Sequence, residues 1–306
     1  MKIAVTGSSG LIGSALVDHL AERSHEVVRV VRPQSAAVGS IQWDPAAGTI
    51  DPSDLAGVDA VVNLSGRSIG EKRWSAQEKE ALRISRLSAT STLVGALLQL
   101  DRSPALINSS AIGYYGDRGD DRLDESDGPG DGFLADLCVD WEAATQPLAE
   151  AGGRVAHLRT GIVLSAEGGA LGRTLQPFPW APFFQPYAWG LAGRLGRGNQ
   201  WWSWVSLTDE VAAITHVVEG DLSGPVNLTA PEPVTNAEFI RVLGGVLRRI
   251  LPVPIPRFVL DIVLGRELAG ALVFDSTRVL PNRLLTNGFT FSEPDLEQAL
   301  RQTLDR

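Results

Sequence analysis

The stretch TGSSGLIG at residues 6–13 closes the β-branched run KIAVT (2–6) and opens onto Leu11, Ile12, Ala15, Leu16 and Leu20, apolar positions at helical spacing. A strand, a glycine turn and a helix in that order decide how the rest of the chain is read. Gly7 permits the tight turn, Gly10 lets backbone N–H groups approach a pyrophosphate, and Gly13 lets the helix lie close on the sheet. In another setting three glycines would be an ordinary connection between a strand and a helix. Here, at the N-terminus and in this context, Gly7, Ser8, Ser9, Gly10, Leu11, Ile12 and Gly13 read as a dinucleotide-binding turn.

Outward from the turn, short β-branched runs alternate with longer helical patterns. EVVRVV (26–31), DAVVNL (59–64), PALINS (104–109) and RVAHLR (154–159) are further candidate strands, and a helical segment runs over 75–100. That alternation predicts an α/β fold with a parallel sheet covered on both faces. IQWDPAAGTID (41–51) reads as a short hairpin turning at PAAG. Beyond residue 164 the texture changes, and LQPFPWAPFFQPYAWGLAGRLGRGNQWWSW (175–204), crowded with Pro, Gly and aromatics, reads as a functional loop region or a second lobe. DEVAAITHVVE, NAEFIRVLGGVLRRI and PDLEQALRQTL look helical and GPVNLT (224–229) looks like a strand. The expected organisation is a nucleotide-binding domain over 1–164, to which 205–229 returns, with 165–204 and 230–306 forming a substrate lobe. The charge-dense GDRGDDRLDESDGPGDG (116–132) reads as a solvated loop.

Composition narrows the classes. A 306-residue chain with 44% hydrophobic residues suits a globular enzyme, and its formal net charge of −9 opposes binding to nucleic acid. A single cysteine forms no internal disulfide, so the cytoplasm is the expected compartment. The N-terminal apolar residues are interrupted by the glycine turn, which predicts no signal peptide. No apolar run approaches the roughly 20 residues that cross a bilayer, so no membrane partner is expected. His19, His25, His157 and His216 are scattered without metal-ligand spacing, and no metal site is expected. The helical segments 75–100 and 133–150 could pair between subunits, which leaves an oligomer open.

In dinucleotide-binding folds the second strand ends in an acidic residue when the ligand is NAD. Here it ends VVRP, with Arg32 in that place. A guanidinium pairs with a 2′-phosphate, so the sequence favours NADP(H); the plainer alternative is that Arg32 merely ends a strand in solvent. NLSG (63–66), with Leu64, Ser65 and Gly66, would line the adenine side of the same crevice.

Taken with RW followed by SR (Arg73, Trp74, Ser85, Arg86), SSAIGYYG (109–116), CVDWE (138–142), RTGIVLSAEGGAL (159–171), GRGNQWWSW (196–204), APEPVTNAEF (230–239) and RVLPNRLL leading to GFTFSEPDLEQAL, these motifs extend over essentially the whole chain. In them the chain resembles an extended short-chain dehydrogenase/reductase, and more narrowly the atypical group labelled NAD-dependent epimerase family. The resemblance implies a Rossmann-type doubly wound parallel sheet that binds NADP(H) and a smaller C-terminal α+β substrate lobe. It also implies cofactor roles for Arg32, Leu64, Ser65, Arg86 and the segment around Ile162. It names no substrate.

Enzymes of the wider superfamily move a hydride between nicotinamide and a carbinol carbon while a Tyr hydroxyl, its pKa lowered from about 10 by a Lys one helical turn later, handles the proton. Ser110 fits the accompanying serine position, but Cys138 and Glu142 stand where Tyr and Lys would be. A carboxylate beside a thiol raises its pKa, which makes Cys138 a weak acid; Glu142 could still accept hydrogen bonds from ribose hydroxyls. Cys138 is also read as a small buried apolar residue. Tyr114 or the adjacent Tyr115 could supply the proton instead. In the second lobe Trp201, Trp202 and Trp204 could stack on a ligand while Arg194 and Arg197 reach an anionic group; the alternative is that the tryptophans are core and the arginines solvated. Asp209 and Glu210 read as the acidic first turn of a helix. Two functions stay open: an NADP(H)-dependent oxidoreductase or epimerase with an altered acid/base set, acting on a small polar or nucleotide-linked substrate, and a catalytically silent NADP(H)-binding protein that senses redox state.

Overall fold

In the computed structural model, residues 1–169, 171–172 and 193–305 are described; residues 175–192 of the aromatic-rich stretch lie outside them. The first half of the chain runs β1 (Lys2–Thr6), α1 (Leu11–Glu22), β2 (Glu26–Val31), β3 (Ile41–Asp44), β4 (Thr49–Ile50), β5 (Ala60–Asn63), α2 (Ala76–Leu97), β6 (Ala105–Ala111) and β7 (Arg122–Leu123). It continues with α3 (Phe133–Ala143), α4 (Gln146–Glu150), β8 (Val155–Thr160) and β9 (Ile162–Leu164). After the next described residues come β10 (Trp201–Trp202), β11 (Trp204–Ser206), α5 (Leu207–Glu219), β12 (Gly224–Leu228), β13 (Val234–Thr235) and α6 (Asn236–Leu247). The C-terminal part holds α7 (Arg257–Leu264), α8 (Arg266–Ala269), β14 (Arg278–Val279), α9 (Asn282–Thr286) and α10 (Leu296–Thr303).

Among the described residues an 8-stranded sheet has the order β12-β8-β6-β5-β1-β2-β3-β4. Its neighbours are parallel except for the β3–β4 hairpin. The order reverses at β1, with β2 on one side and β5 on the other, so the glycine turn stands where the crevice of such a sheet opens. The molecule is therefore α/β with a Rossmann-type sheet.

Alternation along the strands supplies both faces. Ile3 and Val5 of β1 and Ala156 and Leu158 of β8 pack with Leu16 and Leu20 of α1 and Val211, Ile214 and Val217 of α5. Ala4, Val61 and Leu106 face the other way, onto Leu93 and Leu97 of α2 and Leu148 of α4. Each such side chain contributes about 1.5–3 kcal/mol on full burial. The helices start where the sequence provides caps: Ser75 accepts from Glu78 N at 3.1 Å and Ser206 accepts from Asp209 N at 3.0 Å. A separate apolar cluster unites Leu164 and Leu195 with Trp204, Phe239, Leu243 and Leu300. Trp204 is thus core, as the plainer reading of the tryptophans has it.

The charged segment 116–132 is mostly exposed, as a solvated loop would be, but it is anchored at several points. Leu123 and Glu125 are buried, and β7 pairs in parallel with β14. Asp117 accepts from Ser276 N at 3.1 Å, Asp120 from the Trp201 indole at 2.8 Å, and Glu125 from the backbone N–H of Asn227 at 3.1 Å. These carboxylates take backbone and indole donors where water was expected, because a charge-rich composition does not say which donors surround it. No helix among the described residues is long and apolar enough to cross a membrane.

Candidate functional site

The glycine turn is built by close approach. Gly7 has φ +65°, and a Cβ there would lie 2.6 Å from the Leu64 carbonyl oxygen; at Gly13 it would lie 2.1 Å from the Gly7 oxygen. Gly10 is different. Its Cβ would meet only the Gly7 oxygen, at 3.3 Å, so the face it presents is otherwise open. Gly10 caps α1 with no side-chain hydrogen bond, and the first turn holds no acidic residue. The positive end of the helix and its first N–H groups, those of Leu11, Ile12 and Gly13, therefore remain available to an anion. Ser8 is buried and Ser9 exposed. The Ser8 carbonyl accepts from Arg29 Nη1 at 2.8 Å, a brace that sequence reasoning missed although Arg29 interrupts an apolar strand.

Beside the turn, Leu64 N donates to Thr6 Oγ1 at 3.2 Å and Ser65 N to Asn63 Oδ1 at 3.3 Å, which fixes Leu64, Ser65 and Gly66 along the β1 edge. Arg32, just past β2, is exposed, and its guanidinium bonds to none of the described residues. Arg86 is buried under Gly66 and against the Trp141 ring, 5.0 Å from its centroid. Its donors reach the Leu82 and Arg67 carbonyls at 3.2 and 3.0 Å. Burial holds its pKa below the ordinary arginine value.

A cleft of about 190 Å³ opens where β6 and β8 end, and Arg86, Cys138, Thr160, Ile162, Trp201 and Trp202 are among its walls. The Cys138 thiol contacts the Ala111 carbonyl at 3.7 Å, and burial, reinforced by Glu142, pushes it up to about 12. It stays a neutral thiol. Glu142 is held from two sides: Arg159 grips both carboxylate oxygens at 2.9 Å, and Ser110 Oγ donates to Oε1 at 2.7 Å. Burial opposes the Arg159 charge, but the Glu142 hydrogen bonds and charge outweigh it and raise the guanidinium's pKa. Arg159 also donates to Tyr115 OH at 2.9 Å, and that hydroxyl donates to Asn227 Oδ1 at 2.8 Å. Tyr115 is fully buried, which pushes it up to about 12. Tyr114 lies half-buried with Arg159 stacked on its ring at 3.5 Å. The structure thus brings Ser110, Glu142 and Cys138 together and makes Tyr114 a platform beneath their arginine.

Glu210 stands in the first turn of α5, as read, but it is also fully buried: Thr160 Oγ1 donates to its Oε1 at 2.8 Å, and Oε2 has no partner among the described residues. Burial, opposed only by the Thr160 bond, pushes its carboxyl to about 8. A run of residues with an acidic first turn could not show that α5 would bury this one against a strand end.

Arg194, Arg197 and Trp201 do not converge. Trp201 lines the cleft, its indole bonded to Asp120 and its ring 4.0 Å from the Arg278 guanidinium. Arg194 is exposed and lies instead in a groove with Arg241 and Arg249, and Arg197 is exposed outside the cleft. The reason is local: Gly196 and Gly198 both take positive φ, curling this segment against α6 before the chain reaches β10. Among the described residues no three His, Cys, Asp or Glu side chains come together as a metal site would require.

Comparison with known proteins matches residues 3–133 to the NAD dependent epimerase/dehydratase family and residues 255–303 to a domain of unknown function, DUF1731. Epimerase family protein Mb2239 of Mycobacterium bovis is 44% identical over 299 residues, 97% of this chain and 96% of its own length. Human epimerase family protein SDR39U1 is 34% identical over 307 residues, 99% of each chain. The crystal structure of human SDR39U1 isoform 2 with NADPH has a TM-score of 0.88 to this chain at 32% identity, covering 100% of this chain and 99% of that one.

Proposed function

The chain belongs to the NAD dependent epimerase/dehydratase family, and from that premise we propose that it is an NADP(H)-dependent oxidoreductase or epimerase whose reaction takes place in the cleft at the ends of β6 and β8. The observation that carries this reading is the glycine turn: two glycines that backbone contacts require, a third with an open face, and an uncapped helix N-terminus behind it. The turn, with Ser8, Ser9, Leu11 and Ile12, holds the pyrophosphate, while Leu64, Ser65 and Gly66 border the adenosine half. Arg32 pairs with the 2′-phosphate, its guanidinium having no competing partner among the described residues. Arg86 and Ile162 stand nearer the nicotinamide end, on the cleft wall.

When bound, the cofactor supplies or takes a hydride at the substrate carbon. The chain's own residues handle the rest. Ser110 is oriented by Glu142, which Arg159 holds in place; Glu142 is therefore a positioning residue, with Tyr114 supporting the arginine. Cys138 is a neutral wall of the site. Trp201 and Trp202 close the far side and offer flat apolar faces to a small substrate.

The second reading, a silent NADP(H)-binding redox sensor, is favoured by one observation: neither Cys138 nor Glu142 has the ionisation the usual Tyr and Lys supply, the first being a high-pKa thiol and the second an ion-paired carboxylate. Both readings share the coenzyme. Thermal shifts with NADPH should exceed those with NADH, and Arg32→Ala should erase the difference by lowering the NADPH affinity roughly tenfold or more, as expected for a lost charge-assisted pair. Equal shifts in the unaltered protein would remove the NADP(H) assignment.

A further inference from the structure

We infer that Glu210, acting through the Thr160 hydroxyl, is the proton source of the cleft, in the place the superfamily gives to a tyrosine. The inference rests on the reading of that cleft as the reaction site. Thr160 ends β8, lines the cleft, and donates through its Oγ1 to Glu210 Oε1 at 2.8 Å; with the hydroxyl turned toward the cleft, the same contact lets a protonated Glu210 donate to Oγ1. Glu210 has no exposed surface, and its second oxygen has no partner among the described residues. A buried carboxyl with an idle oxygen is costly unless it stays protonated. The charged groups nearby leave it alone. Arg159, the preceding residue, is on the opposite face of β8 and belongs to Glu142 and Tyr115. Asp209, its neighbour on α5, is held by the backbone N–H groups of Ser292 and Glu293 at 2.8 and 2.9 Å. Glu293 is itself buried, and burial raises its pKa. A carboxyl held at about 8 by burial is mostly neutral at pH 7 and thus able to donate.

The other candidates have other ties. Cys138 holds its proton too tightly, Glu142 accepts from Arg159 and Ser110, the Tyr115 hydroxyl is committed to Asn227, and Tyr114 lies with its ring against Arg159. In the relay, the Thr160 Oγ1–H bond breaks as its proton passes to the substrate oxygen, and the Glu210 carboxyl proton passes to Thr160 Oγ1. The substrate carbon gains a hydride, with both its electrons, from the reduced nicotinamide, and the oxygen gains this proton. A carbonyl becomes an alcohol and Glu210 is left as a carboxylate, reprotonated from water once the cleft empties. Oxidation of an alcohol runs the same transfers in reverse.

The linkage can be read without knowing the substrate. The oxidised nicotinamide ring is cationic and the reduced ring neutral, so with the ring in the cleft, a carboxyl one side chain behind the cleft wall should lose its proton when NADP⁺ binds and keep it when NADPH binds. A positive charge nearby lowers a carboxyl pKa by roughly 1–3 units, which at pH 8 releases about half a proton per NADP⁺ bound. Calorimetry of each nucleotide form in two buffers of different ionisation enthalpy measures that release. The expected result is a release with NADP⁺ that exceeds the release with NADPH by about half a proton and disappears in Glu210→Gln. Thr160→Val, which removes the bond that lowers the Glu210 pKa, should keep the difference but move its midpoint to higher pH, and Thr160→Ser should restore it. Equal proton counts for the two forms, a difference that survives Glu210→Gln, or a midpoint unmoved by Thr160→Val would each overturn the relay while leaving the coenzyme assignment standing. Failure of both nucleotides to bind would instead overturn the proposed function itself.

Discussion

Two carboxylates flank the end of β8, one on each face of the sheet, and they are opposites. Glu142, on the α3 face, is ion-paired: a bidentate guanidinium and a serine hydroxyl hold both its oxygens. Glu210, on the α5 face, has a single threonine partner, an idle oxygen and no cation. The same functional group, reached from consecutive residues of one strand, meets opposite surroundings: a cation grips it on one face, and on the other burial raises its pKa. Paired environments of that kind are how one site obtains both a fixed negative charge and a neutral acid near neutral pH. The positive charge on the Glu142 side comes from Arg159 on the sheet, where it orders Glu142.

The comparison breaks most visibly at the arginine. Arg159→Leu leaves Glu142 part-buried with its cation gone, and removal of one partner from a buried pair costs about 3–5 kcal/mol. Chemical denaturation should show that loss, and a loss under about 1 kcal/mol would mean that Glu142 is solvated and that the two faces do not differ as described. The Ser110 hydroxyl alone cannot replace a guanidinium fork.

Next in size is the pH dependence of stability that Glu210 imposes. Its pKa rises from the unperturbed 4.5 to about 8 in the folded protein. Between those values the folded state holds a proton the unfolded state has released, so stability falls as pH rises, by about 1.4 kcal/mol per unit. The contribution is fully present below pH 4.5 and lost as pH passes through 8. Glu210→Gln, neutral at every pH, should flatten that slope in denaturation curves recorded from pH 5 to 9. Curves of identical slope for the two proteins would show Glu210 to be charged throughout, and the contrast with Glu142 would fail.

How much of this contrast could be read from residues alone depends on how far the deciding partner lies along the chain. β1 and the glycine turn were legible because their cause is local: an apolar run, three glycines at fixed spacing and a helical repeat after them. The departure at Cys138 and Glu142 was legible as a motif difference, yet its consequence was not. The cation that captures Glu142 stands 17 residues on, upon a strand whose pattern announces only burial. Glu210 was legible as part of a helix's first turn, but its burial was not, for a similar reason. Acidic residues after a serine cap ordinarily meet water and the helix dipole, and Asp209 and Glu210 follow Ser206 in that way. Only the packing of α5 against β8 places the second of them beneath Thr160, 50 residues away in sequence. The anchors of the acidic loop at 116–132 were hidden in the same way, their donors coming from Ser276, Asn227 and Arg283 far downstream.

The smallest expected effect separates the two faces most cleanly. Cys138 lies on the Glu142 side and lines the cleft, and on the proposed reading it stands where the superfamily's tyrosine would be. If protons entered the cleft from that side, Cys138→Ala would abolish the proton release that distinguishes NADP⁺ from NADPH. A thiol held at about 12 is too weak an acid for that role at neutral pH. The substitution should therefore leave the release unchanged and lower stability by only about 1 kcal/mol, the cost of one small buried group. Calorimetric proton counts on Cys138→Ala beside those on Glu210→Gln decide between the faces: release lost in the first and kept in the second would move the proton source from the α5 side of β8 to the α3 side.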